Sequence, residues 1–543
     1  MKTNIFKYAL LMASATVAFS SCIDETFPEG SSATADQVGA SSAALEGSVN
    51  GMSSKMTQGY LVYGDQVHET DMAYPQFMIA TTEMMGDMYP GGSNSGYDWY
   101  RNYNCFNRSH GSNSYFAYLP WFTCYQLIKS ANDIIASVDL ETAGEIQKQY
   151  AGMAYASRAL DYWLLTTLFE PVENKYTDIS KVKGLTACIV TEKTDGEASK
   201  NNPRVSHDEM ISFIISDLDL AEELLANYEA KNHLQPDLAV VYGLKARVYM
   251  WDEDYANAYK YADLAIKTAE SKGAKMMSED EWTNPKSGFT TATSSWMWYC
   301  NYAAEMMGNL CNFVGWMSGE ADWGYSSLTC PMIDRSLYDK IGQNDFRKHV
   351  FLDPLKYEYY AYKTCRDKDF IENSPAYLSL KFRCKEGDWE NYAVGGAIDV
   401  PIMRLEEMYL LRAEAAGMSQ GFATGVQLLE DWVKTNRDPE YKCDATDQRS
   451  MQIAVLDQMR IELWGEFNAF PSAKRIKPGF MQCYEGSNAP EDIFRINCEG
   501  IKPVFNLCIP DSELDSNKGI TKDTNNPDPT QAVVGPAKPG VWQ

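Results

Sequence analysis

Residues 401–417 read PIMRLEEMYLLRAEAAG, and the fold of the whole chain turns on this stretch. Leu405, Met408, Tyr409, Leu411, Ala413 and Ala416 recur at mixed three- and four-residue spacing, the pattern of one helical face. Pro401 stands at the entry, where a missing N–H is harmless, and Gly417 at the exit, where a left-handed cap is easy. The stretch predicts one helix over 401–417. Ala413, Ala415 and Ala416 leave room for a second helix, which residues 422–436 supply. Upstream, residues 238–267 read as LAVVYGLKARVYMW, DED and YANAYKYADLAIK, a helix–turn–helix. Ala246, Tyr249, Ala258 and Ala265 occupy the small and aromatic positions of a tetratricopeptide repeat. Ala413 fits the same register, with Gly425 at the second small position. Such pairs stack through their small residues. The fold class is therefore mainly α, a tetratricopeptide-like α-solenoid half, beside a loop-rich, irregular half where residues 275–400 lose the helical rhythm.

A net charge of −26 over 543 residues repels phosphate backbones and argues against nucleic acid as a partner. Neutral ligands remain, although acidity also serves solubility alone. The 34 Tyr and 13 Trp are a surplus that is either core or a stacking surface for ligands. The 13 Cys show no CxxC pair and no Cys/His metal spacing, so they read as scattered buried thiols, and neither metal nor cofactor is expected.

At the amino terminus, Lys2 and Lys7 precede about a dozen mostly apolar residues, a signal-peptide core too short to span a bilayer. Phe19-Ser20-Ser21-Cys22 then looks like a lipobox, with Phe19 where Leu is more usual. Cleavage before Cys22 and its lipidation are expected. The alternative is a plain secretory signal with a chance cysteine. Residues 22–44 are small, polar and acidic, which predicts a flexible tether.

The glycine-rich loop 90–96 opens onto Tyr97, Asp98, Trp99, Tyr100, Arg101, Asn102 and Tyr103. A sugar ring offers C–H groups to an indole or phenol face, and its hydroxyls suit the forked donors and acceptors of Asp, Arg and Asn. Trp298 follows in the irregular stretch 275–400. Trp316, Asp322, Trp323 and Tyr325 lie there too, among Gly315, Gly319 and Gly324. Aromatics among glycines favour a ligand platform. For any single ring the competing reading is a place in the core. The candidate ligand-binding set is thus Tyr97, Asp98, Trp99, Arg101, Asn102, Trp298, Trp316, Asp322, Trp323 and Tyr325. No H-E-x-x-H, G-x-S-x-G or P-loop pattern is present. Glu320 and Asp322 could be recruited as a glycosidase pair, but such pairs arise by chance among 74 acidic residues. No catalytic residue is assigned.

Several further blocks occur in order. Trp121, Tyr125, Ile128, Ala131 and Asn132 share one helical face. Arg158 and Tyr162 precede the exit 168–171. Residues 282–289 read WTNPKSGF, and Asp345-x-Arg347 and Lys381-Phe382 follow. Arg404 to Ala415 comes next, then Asn436-Arg437, Arg460-x-Glu462 with Glu466, and Lys474-Arg475. Ile509-Pro510 with Glu513, Leu514 and Asn517 closes the series. This ordered set resembles the SusD/RagB family, surface glycan-binding lipoproteins of Bacteroidetes nutrient uptake. The aspartate usual before the basic exit is missing, replaced by the run from Pro471 to Ala473.

Asp24 and Glu25 resemble the family's acidic surface-export signal. The resemblance implies an oligosaccharide-binding lipoprotein on the outer membrane. It would hand cargo to a SusC-like TonB-dependent barrel, without catalysis. Peptide is the alternative cargo, and a hydrolase the remote one. The expected division is signal peptide 1–21, tether 22–44, helical part 45–274, variable ligand-binding part 275–400, helical part 401–480 and carboxyl-terminal segment and tail 481–543. Residues 45–524 would form one SusD-like unit.

Overall fold

Caps as much as periodicity set the helix boundaries. The computed structural model describes residues 35–64, 68–91, 97–104, 110–304, 310, 312–353, 355, 363–490, 492–532 and 535–543. The leader and Cys22 lie outside the described residues. Helix α1 spans Ser42–Lys55, capped by the Ser41 hydroxyl, and a short helical turn Ala35–Gly39 precedes it. Helical order thus begins inside the expected tether.

Helices α2 (Tyr74–Met85), α3 (Tyr115–Ala136) and α4 (Glu145–Phe169) follow. Then come α5 (His207–Leu225), α6 (Leu238–Trp251) and α7 (Tyr255–Ser271). Ser206 caps α5 by accepting from the Glu209 N–H at 3.2 Å. Later in the chain lie α8 (Leu405–Ser419), α9 (Phe422–Asn436), α10 (Gln448–Glu462) and α11 (Ala469–Ile476). Neighbours pack in succession: α3 on α4, α4 on α5, α5 on α6, α6 on α7, α7 on α8 and α8 on α9. No helix among the described residues is long and apolar enough to cross a membrane.

Strands are few. β1 (Met88–Pro90) pairs antiparallel with β3 (Pro331–Ile333), and β2 (Trp296–Asn301) with β4 (Asp399–Arg404). The helix predicted over 401–417 is therefore displaced. Its first four residues belong to β4, where Pro401 lies opposite Tyr299, and α8 starts at Leu405. Proline suits a helix entry and a two-stranded ribbon equally, because each spares one N–H. Gly417 is not a cap either. It is buried inside α8, which continues to Ser419. A Cβ on Gly425 of α9 would lie 2.8 Å from the Gly417 Cα, so the two glycines let the helix backbones touch.

The interior holds a cluster of ionised groups. The Glu462 carboxylate, fully buried, accepts N–H bonds from Arg347 at 2.9 Å, Arg404 at 3.1 Å, and Arg437 at 2.9 and 3.0 Å. Glu466 accepts from Lys381 at 2.7 Å and from Arg404 at 3.0 Å. Asp345 pairs with Arg347 at 2.6 Å, closing the D-x-R motif, and Glu406 lies 3.1 Å from Arg404. Four cations thus face four carboxylates, and each residue is at most 3% exposed. The guanidiniums around Glu462 hold its carboxyl well below the ordinary range, against the upward push of burial.

A buried carboxylate so held contributes stability that is present above its unfolded pKa and lost as pH falls. Glu462→Gln should destabilise the protein by about 3–5 kcal/mol near neutral pH, because it leaves buried guanidiniums uncompensated. In urea titrations the gap between wild type and variant should shrink as pH drops below about 4.

Candidate functional site

The site is assembled by β1 and β3. Their pairing, with Tyr89 opposite Met332, brings the chain after α2 beside the irregular segment 312–330. Leaving β1, side chains alternate. Tyr97 and Trp99 are 51% and 37% exposed, whereas Asp98, Tyr100 and Tyr103 are buried. The buried rings are fastened by their hydroxyls: Tyr100 donates to the Thr70 carbonyl at 3.0 Å, and Tyr103 to the Phe116 carbonyl at 2.9 Å.

Across from them, a short helix Phe313–Met317 presents Trp316, capped by Asn312, which accepts from the Gly315 N–H at 2.9 Å. Tyr100 meets the Trp316 ring edge-on at 5.0 Å. Tyr325 stacks on Trp316 at 4.3 Å and 17°. Trp99 stands 6.1 Å from Tyr325, its ring inclined by 64°. The turn that returns Tyr325 over Trp316 runs through Gly324 at φ +69°, and a Cβ there would lie 2.8 Å from the Gly315 carbonyl oxygen. Two segments more than two hundred residues apart thus build one aromatic surface. Trp99 and half-buried Tyr325 are at the top and Trp316 and Tyr100 beneath, while Tyr97 is exposed without a ring contact to them.

Not every expected ligand residue belongs to this surface. Trp298 is 1% exposed on β2, with its indole N–H 3.4 Å from the Leu234 carbonyl. It is a core residue, because its strand is covered by the helical half. Trp323 is also buried: a Cβ on Gly395 would lie 2.6 Å from its ring, so it is the wedge under the 321–325 turn. Trp316 supports Tyr325 from below instead of facing solvent. Asp322 is exposed and Arg101 half-buried, and the Asn102 side chain lies outside the described residues.

Asp98 points inward, not toward a ligand. Its carboxylate accepts from the Tyr100 N–H at 3.0 Å and faces Glu83 of α2. Burial lifts the Asp98 carboxyl to about 6, and burial together with the Asp98 charge pushes Glu83 well above the usual range. The two facing carboxyls resist ionising together, and the pair joins the Trp99 loop to α2. Asn104 completes the clasp, donating to Glu83 at 3.0 Å and accepting from Gln482 at 2.6 Å and Lys502 at 3.2 Å. Sequence reading missed Glu83. Its signal was an acid inside an otherwise apolar helix. Among the described residues, no group of three His, Cys, Asp or Glu is placed to hold a metal ion.

A family described as starch-binding associating with outer membrane matches residues 46–250. The SusD family itself matches residues 247–527. The chain belongs to the SusD family. Its fold is similar to that of a SusD-like carbohydrate binding protein from Bacteroides vulgatus, at 19% identity and a TM-score of 0.67, over 89% of this chain and 98% of the other. A SusD superfamily protein from Bacteroides thetaiotaomicron matches at 18% identity and a TM-score of 0.65, over 90% of this chain and 100% of that one. Surface glycan-binding protein A from Bacteroides thetaiotaomicron, in complex with laminarihexaose, matches at 15% identity and a TM-score of 0.61, over 89% and 99%. At these identities the likeness is one of fold. No curated protein sequence matches.

Two measurements test how the SusD-family site is built. The proton that burial keeps on Asp98 stabilises the folded state at low pH, and that contribution is lost as pH rises from about 4 through about 6. Asp98→Asn should therefore gain stability relative to wild type across that window, on the order of 2 kcal/mol by thermal melts. Trp298→Ala should lower stability by about 3–5 kcal/mol, as expected for a large core ring.

Proposed function

We propose that this protein is an oligosaccharide-binding lipoprotein of the outer-membrane surface. It captures glycan and passes it to a SusC-like TonB-dependent transporter, and it is not an enzyme. The observation that carries the reading is the paired exposure of Trp99 and Tyr325 on a fixed aromatic base. Inclined rings offer two C–H-binding faces to neighbouring sugar units. A base of buried rings holds them in place before the ligand arrives, which lowers the entropy lost on binding. The SusD family match and the complex of a similar fold with laminarihexaose support saccharide as the cargo.

A hydrolytic role finds no support in the one acidic pair the sequence offered. Glu320 is buried, ion-paired with Arg383 at 2.9 Å and hydrogen-bonded to the Thr364 hydroxyl, whereas Asp322 is exposed. A glycosidase needs both carboxyls facing one scissile bond. Lipidation of Cys22 would tether the folded body while leaving it free to move over a barrel.

The soluble protein starting after Cys22 should bind at least one member of an oligosaccharide panel, with a tryptophan fluorescence change and no cleavage products. Trp99→Ala should weaken that binding about tenfold or more, equivalent to at least ~1.4 kcal/mol. Saturable binding of peptides alone would replace saccharide with peptide as the cargo. Cleavage persisting in rigorously purified protein would overturn the reading.

A further inference from the structure

A cavity of about 390 Å³ opens beside the aromatic surface and is built partly by the same short segment. Residues 321–330 give Tyr325 to the rings, while Asp322 and Ser326 line the cavity. Opposite them come Asp367, Asp369 and Phe370. Ser326 is 1% exposed, and its hydroxyl finds no hydrogen-bond partner among the described residues. A buried hydroxyl left unpaired is costly, and one lining a cavity of ligand size points to a missing polar partner.

The charges around it are one-sided. Asp322, Asp367 and Asp369 are exposed. Asp367 already caps a turn by accepting from the Phe370 N–H at 2.9 Å. Arg366 is the one cation among the described lining residues, and it is already engaged. Its guanidinium lies 3.8 Å over the Trp389 ring and 4.7 Å over the Phe370 ring of the cavity wall, and donates to the Glu320 carbonyl at 2.7 Å. The cavity therefore carries net negative charge, with Phe370 as an apolar wall. An anionic sugar would be repelled, a neutral one tolerated, and an ammonium group attracted.

We infer that this cavity is a second binding position, apart from the Trp99–Tyr325 rings, for a single sugar residue bearing a protonated amine. Ser326 would bond a ring hydroxyl, and Asp322 and Asp369 would hold the ammonium group in charge-assisted hydrogen bonds. Phe370, beside the Arg366 guanidinium on its ring, would contact the sugar's C–H groups. This assignment stands whether or not the rings themselves bind glycan.

The test uses the full soluble chain and D-glucosamine hydrochloride at slightly acid pH, read by isothermal titration and saturation-transfer NMR. Glucosamine should bind, and glucose should bind about fivefold or more weakly, with glucuronate not detected. The double variant Asp322→Asn with Asp369→Asn should weaken glucosamine about tenfold, and Trp99→Ala should leave it unchanged. Raising salt from about 50 to about 500 mM should weaken binding of glucosamine but not of glucose. Absence of glucosamine binding, or binding no tighter than that of glucose, overturns the proposal. So does equal loss in Trp99→Ala, which would place the amine at the rings. Lysine binding as tightly as glucosamine would also overturn it, showing a cation site with no use for the sugar.

Discussion

A single buried carboxylate, that of Glu462, fixes how the parts of this molecule meet. Arg347 reaches it from the irregular half, Arg404 from the end of β4 and Arg437 from the end of α9. None of these charges has water to fall back on, so each must find its partners or the core does not close. Replacing the whole cluster with apolar side chains could match its stability. Apolar packing would not specify which of several arginines meets which glutamate. The geometry is directional, and direction orders a chain with few strands. The rings of Trp282 and Phe289 lie against Arg404 and Lys381, adding cation–π contacts where solvent is excluded.

The same helix extends that order to the aromatic surface. Arg460, two residues before Glu462, binds the Asp87 carboxylate at 3.1 Å, and the Trp464 indole donates to the Asp87 carbonyl at 2.8 Å. Asp87 directly precedes β1, and β1 carries the chain into the Trp99 loop. β3, paired with β1, follows directly on the segment that carries Trp316 and Tyr325. The aromatic surface therefore inherits its rigidity from α10, through one arginine, one indole and one short ribbon. Its own contacts add the Glu83–Asp98 clasp below and the Tyr325–Trp316 stack beside.

Much of this was legible in the sequence. Helices with side-chain caps, such as α5 behind Ser206, leave a local mark, and so does the small-residue register of α6 and α7. The ordered motifs carried the family, because its buried ion pairs demand particular charges at particular places. The errors share one cause. Pro401 and Gly417 are permissive residues, compatible with several backbones, and only tertiary pairing chose among them. Trp298 and Trp323 stand near glycines or other aromatics, the pattern of a ligand platform, yet both are buried. Burial is decided by what the rest of the chain lays over a ring, and no local pattern records that. The alternation from Tyr97 to Tyr100, two rings out with an acid and a ring in, was readable as a period of two. It lacked only the knowledge of which face was inside.

The long reach of the ionic cluster also bears on the order in which the chain can mature. Arg347 and Lys381 are made well before Glu462 and Glu466, their partners. Helices α3 to α7 pack on one another and can begin to settle as they emerge, although buried Arg247 of α6 awaits Glu407 of α8. The irregular half cannot: closing around lone arginines would bury uncompensated charge. During synthesis it must stay open until α10 arrives, so the aromatic surface takes shape only after the chain has passed Glu462.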